Sequence, residues 1–128
     1  MSEPGARQVV ERYIQCFHNR DVEGLASLFA TGAALTNPLG SYQGRDAVRQ
    51  FYSDLFASYH SYHLEQLRFS VYGDEVSLQW YAEGQLFSRE GSVGIPGSSY
   101  FLVRGGPIQR LKVYYDAAQL QRQLAAVP

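Results

Sequence analysis

Hydrophobic positions along the chain recur first at helical spacing and then at alternating spacing, with one switch between the two regimes. From Ala6 to Asn19, the residues Val9, Val10, Tyr13, Ile14 and Phe17 fall on one helix face, so this segment is expected to lay a single apolar stripe on a core. Asp21 stands where an N-cap accepts from the next turn. Val22, Leu25, Leu28 and Phe29 then predict a short second helix that Thr31-Gly32 would end. Leu35 to Leu39 reads as an extended piece, because the residue before Pro38 is pushed out of helical backbone. A third helix puts Val48, Phe51, Tyr52, Leu55, Phe56 and Tyr59 on one face and Arg49, Gln50, Ser53 and Asp54 on the other.

After His63 the period becomes two. Leu64, Leu67, Phe69 and Val71 predict a strand, and Tyr72-Gly73-Asp74-Glu75 a turn. Val76, Leu78 and Trp80 alternate with Ser77, Gln79 and Tyr81 in the next strand, which runs toward Phe87. A third strand is expected over about Ser98 to Arg104, and a last one from Ile108 through Tyr115 after a Gly105-Gly106-Pro107 turn. Between Arg89 and Ser99 the residues Gly91, Gly94, Pro96 and Gly97 break the alternation, which predicts a bulged hairpin or a rim loop. Asp116 and Gln119 open a closing helix that ends near Ala126. Helices followed by an antiparallel meander make an α+β domain. With no linker, repeat or low-complexity tract, residues 1–128 are expected to form one such domain.

Composition narrows the function classes. A chain of 128 residues, 45% hydrophobic and 18% charged, can bury a sizeable core without staples. Its net charge is −1 and its Lys and Arg residues are scattered, which argues against a nucleic-acid footprint. Cys16 is alone, so there is no internal disulfide and no multi-Cys metal site, only an expected buried or half-buried helix thiol. Met1-Ser2-Glu3-Pro4-Gly5 lacks the basic and apolar regions of a signal peptide, and no apolar run reaches membrane-spanning length. A soluble, cytoplasmic protein is the expectation. The ten Tyr and seven Phe change the picture most. A tyrosine brings apolar area plus a hydroxyl that needs a partner when buried. These rings either surround a cavity for a flat, apolar ligand with one or two oxygens, or fill the concave side of a sheet. Both readings can hold for different rings.

The chemistry-bearing segment is Ala34-Leu35-Thr36-Asn37-Pro38-Leu39-Gly40, followed by the helix start Gly44-Arg45-Asp46-Ala47-Val48. Taken with the Tyr-bearing first helix, the meander and the closing Val113-Tyr114-Tyr115-Asp116, this ordered set resembles the NTF2-like superfamily. That superfamily includes ketosteroid isomerases, SnoaL-like polyketide cyclases and limonene-epoxide-hydrolase-like proteins. The resemblance implies a cystatin-like cone, with N-terminal helices packed on a curved antiparallel sheet and a hydrophobic pocket between them. It also implies a homodimer through the outer sheet face, which a monomer mass by light scattering at micromolar concentration would refute. The expected partner is a small apolar ligand, with no nucleic acid, membrane, cofactor or metal.

An isomerase of this kind needs a carboxylate base to move a proton beside a carbonyl, and donors to hold the resulting enolate. By resemblance, Tyr13 matches the catalytic Tyr of the first helix and Tyr52 a supporting Tyr that hydrogen-bonds to it. The alternative is that both are core rings with satisfied hydroxyls. Asn37 stands where the base belongs, and a carboxamide orients and hydrogen-bonds but takes no proton near neutral pH. The second donor, an Asp in the isomerases, falls at about Ser98 or Ser99. The Arg and Asp positions of the epoxide hydrolases fall near Trp80 and Ala82, and the last Asp near Val113, so that triad is missing too. Glu83 either lines the cavity, with its pKa raised by desolvation, or faces outward. Asp116 reads as a helix cap and Asp54 as solvated. His18, His60 and His63 lack metal spacing, and His60 and His63 are expected at the surface. Candidate catalytic residues are therefore Tyr13 and Asn37, with Phe51, Tyr52, Trp80, Ser99 and Tyr115 as ligand contacts. Two functions remain open: a SnoaL-like enzyme of isomerase or cyclase type, or a non-catalytic ligand-binding or interaction module on the same cone.

Overall fold

In a computed structural model, which describes residues 5–88 and 90–126, four helices pack on one six-stranded sheet. Met1 to Pro4, where the leader reading falls, lie outside the described residues, as does Arg89 at the start of the stretch expected to be loose. The elements are α1 (Ala6–His18), α2 (Val22–Ser27), β1 (Phe29–Asn37), β2 (Gly40–Gln43), α3 (Arg45–Ser58), β3 (Tyr59–Tyr72), β4 (Glu75–Leu86), β5 (Ser92–Val103), β6 (Ile108–Tyr115) and α4 (Ala117–Ala126). Strand order is β2-β1-β6-β5-β4-β3, antiparallel throughout except for the parallel β1–β6 pair. The α1 stripe of Val9, Val10, Tyr13, Ile14 and Phe17 is buried as the periodicity predicts, and it meets Val48, Tyr52 and Phe56 of α3. Strand β4 alternates without a break, with Val76, Leu78, Trp80 and Ala82 turned inward.

Four boundaries differ from the sequence expectation, each for a tertiary reason. Helix α2 stops at Ser27 and not at Thr31-Gly32, because Phe29 already pairs with Ile108 and the Ile108 amide donates to the Leu28 carbonyl at 2.8 Å. Strand β2 forms although it has no apolar run, since Gly40 to Gln43 fold back on Ala34 to Asn37. Strand β3 begins at Tyr59, before the switch in period, where α3 is closed off from outside its own sequence. Arg20, in left-handed backbone at φ 56°, sends its guanidinium to the carbonyls of Phe56 and Tyr59.

The stretch from Ser92 to Gly97 is strand and not loop. The β4 side chains need its glycines: a Cβ at Gly97 would lie 2.2 Å from the Trp80 ring, and one at Gly94 2.3 Å from the Tyr81 hydroxyl. The β5–β6 register ends at Gly97, so residues 92–96 have a strand partner on the β4 side only. Pro96, which lacks an N–H, is tolerated beside that open edge. Gln123 of α4 covers the edge at Gly94, accepting from its amide and donating to its carbonyl, each at 2.7 Å. Asp21 and Asp116 cap α2 and α4 as expected, accepting from the amides of Gly24 and Gln119. Among the described residues, no helix is long and apolar enough to cross a membrane.

Candidate functional site

The inner stripes of α1 and α3 and the concave side of the sheet do not close completely. They leave a cavity of about 230 Å³, lined by residues from Tyr13 to Leu120. That volume is below the usual drug-sized range and suits a molecule of roughly two or three fused rings. Leu39, which is 62% exposed, stands at its rim on the turn between β1 and β2.

Tyr13 and Tyr52 come to this cavity from different helices, and their hydroxyl oxygens lie 2.5 Å apart. Tyr13 sits edge-on to Phe101 at 5.0 Å, so its phenol is fixed by packing from the sheet side. Burial drives both phenols' pKa upward, and for Tyr52 the neighbouring Tyr13 adds to the shift. Both are therefore neutral hydroxyls at physiological pH, able to donate a hydrogen bond but not to accept a proton. In the pair one hydroxyl donates to the other, which leaves the second proton free for an oxygen in the cavity.

Asn37 also lines the cavity, but its side-chain oxygen accepts from the amides of Leu39 at 2.8 Å and Gly40 at 3.0 Å. The carboxamide thus builds the β1–β2 turn, an Asx-type arrangement, and offers only its NH₂ group to a ligand. Ser99 is 7% exposed and accepts from the Trp80 indole N–H at 3.0 Å, and its own proton has no acceptor among the described residues. Ser98 faces the opposite side of the sheet, in a shallow outer depression with Leu67 and Tyr114.

Phe51, Trp80, Ser99 and Tyr115 share the cavity with Tyr13, Asn37 and Tyr52, so the geometry brings together all seven candidate residues. Three of the lining positions, Trp80, Ala82 and Val113, are those where the epoxide-hydrolase resemblance requires Arg and Asp, and all three are uncharged. Glu83 is exposed and points away. No carboxylate, imidazole, amine or guanidinium lines the cavity among the described residues. The same residues hold no cluster of His, Cys, Asp and Glu fit for a metal ion. His60 and His63 are exposed, as expected for their junction. Sequence reasoning missed Tyr59, Tyr62 and Gly84 as lining residues. The Tyr59-x-x-Tyr62 spacing was the available signal, hidden because the strand was expected to start only after His63.

Residues 10–111 match the model of the SnoaL-like domain family. Among solved structures, an NTF2-like protein of unknown function from Burkholderia pseudomallei superposes with a TM-score of 0.86 at 19% identity, over 98% of this chain and 100% of that one. A candidate SnoaL-like polyketide cyclase from Jannaschia sp. gives 0.81 at 17% identity, over 100% and 99%. TerC, co-crystallised with polyporic acid, gives 0.83 at 16% identity, over 94% and 98%. At these identities the structural likeness establishes the fold: a cystatin-like, NTF2-like cone.

Proposed function

The chain belongs to the SnoaL-like domain family, and from that premise we propose that its cavity binds a small, flat, apolar molecule through an oxygen held by the Tyr13–Tyr52 pair. The observation that carries this reading is a buried pair of neutral phenols at a cavity with no charged lining group among the described residues. In such surroundings a hydrogen bond to a ligand oxygen is undiluted by water, and it strengthens as negative charge develops on that oxygen. A bound ketone would be polarised toward its enolate, which is the demand of isomerase and cyclase chemistry in this fold. The lining supplies no proton acceptor, so any such reaction is confined to substrates acidic enough to ionise without a protein base. The neighbour co-crystallised with polyporic acid and the candidate polyketide cyclase support the small-molecule reading by analogy of fold. A second reading, a binding module without turnover, is favoured by the side-chain oxygen of Asn37 being occupied by the turn.

The test uses Trp80, which is the single tryptophan and lines the cavity. Titration with 2-naphthol or α-tetralone is expected to change its emission saturably, and Tyr13→Phe to weaken binding by roughly three- to tenfold, the value of one neutral hydrogen bond. No binding to the folded protein would overturn the proposal. Deuterium exchange at the α-carbon of β-tetralone then separates the two readings: acceleration lost in Tyr13→Phe means catalysis, and exchange at the solvent rate means binding alone.

A further inference from the structure

Beyond the Tyr13–Tyr52 pair, four phenols line the same cavity: Tyr42, which packs on Phe51, and Tyr59, Tyr62 and Tyr115. Tyr59 joins α3 to β3, Tyr62 follows it along β3, and Tyr115 ends β6. The rings of Tyr59 and Tyr62 meet edge to face at 5.2 Å, and Phe17 packs on Tyr62 at 5.3 Å. Their seat is cut by Gly84, the strand partner of Tyr62, where a Cβ would come within 2.7 Å of the Tyr59 ring and 3.3 Å of the Tyr62 ring. The arrangement is therefore packed into place from both the helix and the sheet.

What sets Tyr59, Tyr62 and Tyr115 apart from the Tyr13–Tyr52 pair is that none of their hydroxyls has a hydrogen-bond partner among the described residues. No fully enclosed side-chain polar atom lacks a partner among those residues, so each of these hydroxyls keeps some accessible surface. They are also neutral. Burial raises the pKa of Tyr62 first, and Tyr59, Tyr13 and Tyr115 raise it further. Tyr115 is raised by burial and then by Tyr59 and Tyr42. The Phe17 ring packs on both Tyr13, at 6.2 Å, and Tyr62, at 5.3 Å, so the two groups of phenols share one aromatic wall. With no acceptor among the described residues, each hydroxyl is available to a ligand oxygen that displaces water from it.

We propose that Tyr59, Tyr62 and Tyr115 form a second hydrogen-bonding subsite, so that the ligand carries two oxygen functions, one at Tyr13–Tyr52 and one at these three phenols. This rests on the cavity being the ligand site, as proposed above. The second oxygen is an uncharged carbonyl or hydroxyl. A carboxylate or phosphate would have no counter-charge in the lining, and burying it unpaired is far costlier than burying a ketone.

The experiment compares α-tetralone, which has one ketone, with 6-hydroxy-α-tetralone, which keeps that ketone and adds a phenol at the far end. Both are titrated by Trp80 emission against the wild type, Tyr62→Phe and Tyr115→Phe, which retain the rings and delete only hydroxyls. The wild type is expected to bind the hydroxyketone roughly three- to tenfold more tightly than the ketone. Tyr62→Phe or Tyr115→Phe is expected to remove that preference while leaving the affinity for α-tetralone within about twofold. Equal binding of the two probes by the wild type, or a preference that survives in both variants, would overturn the subsite alone. No binding of either probe to the folded wild type would overturn the cavity reading and the subsite together.

Discussion

A single atom decides what Asn37 does. Its side-chain oxygen holds two backbone amides, of Leu39 and Gly40, so the residue is first a turn builder and only then part of the cavity wall. An aspartate introduced there would accept the same two amides. Two such bonds favour the charged form and pull a carboxylate's pKa below its ordinary value, which makes it a weak base. Asn37→Asp is therefore expected to fold with stability within about 1 kcal/mol of the wild type, since the turn keeps its acceptor. It should accelerate α-proton exchange of β-tetralone only marginally over the parent. Urea unfolding and exchange by NMR read the two halves. A gain of a hundredfold or more would show that the carboxylate leaves the turn for the cavity. The identity of this position was plain in the sequence, whereas its hydrogen-bond commitment depends on where the next two amides point. The same holds for Ser99, whose acceptor role is set by Trp80 on the neighbouring strand.

At the scale of elements, α4 is the piece most separable from the rest. It buries no residue completely, rests against β5, and extends Leu120 to the cavity. A helix of 10 residues is marginal by itself, so its persistence depends on docking. The Gln123 amide, which imitates a neighbouring strand at Gly94, is the polar anchor of that docking. Gln123→Ala should weaken the attachment by about 1–2 kcal/mol, the value of two neutral hydrogen bonds. Amide exchange over residues 117–126 should rise roughly tenfold, while the protection of β4 and β6 stays unchanged. Uniform loss of protection across the sheet would mean that α4 unfolds with the core and is no separate unit. Of the elements, α1, α3, β4 and β6 were legible because their own apolar spacing specifies them. Strand β2, the start of β3 and the first half of β5 were not, because each exists through a partner: a fold-back on β1, an arginine from the α1–α2 junction, and glycines shaped by Trp80 and Tyr81. Tyr13, Asn37 and Tyr52 could be singled out from their motifs, but Tyr59 and Tyr62 could not, since they sit where one expected period gives way to the other. Gln123 carries no sequence mark that separates it from a solvated amide.

Taken as a whole, the molecule keeps uncharged phenols at its centre, and this ties its stability to pH from the alkaline side. Tyr13 and Tyr52 have pKa values raised by burial, so the folded state holds protons that an unfolded chain releases near pH 10. Above that pH the unfolded state binds fewer protons than the folded state, and stability falls as pH rises. The contribution is fully present below about pH 10 and is lost progressively above it, toward the raised folded-state values. Each such phenol costs about 1.4 kcal/mol per pH unit, so the pair removes about 3 kcal/mol by pH 11. Against a total of roughly 5–15 kcal/mol for a domain, that is a large share. Urea midpoints should therefore hold steady from neutral pH to about pH 9.5 and then drop steeply, with the tyrosinate absorbance of the buried phenols appearing together with unfolding. In Tyr52→Phe one of several raised phenols is gone, with Tyr13 and Tyr62 still contributing, and the alkaline slope should be less steep by about 1.4 kcal/mol per pH unit even though the variant starts from lower stability. An unchanged slope in that variant, or stability that holds level to pH 11, would mean that the central phenols ionise as easily folded as unfolded. The cavity would then be wetter than its lining suggests, and the charge-free surroundings on which the proposed binding depends would be gone.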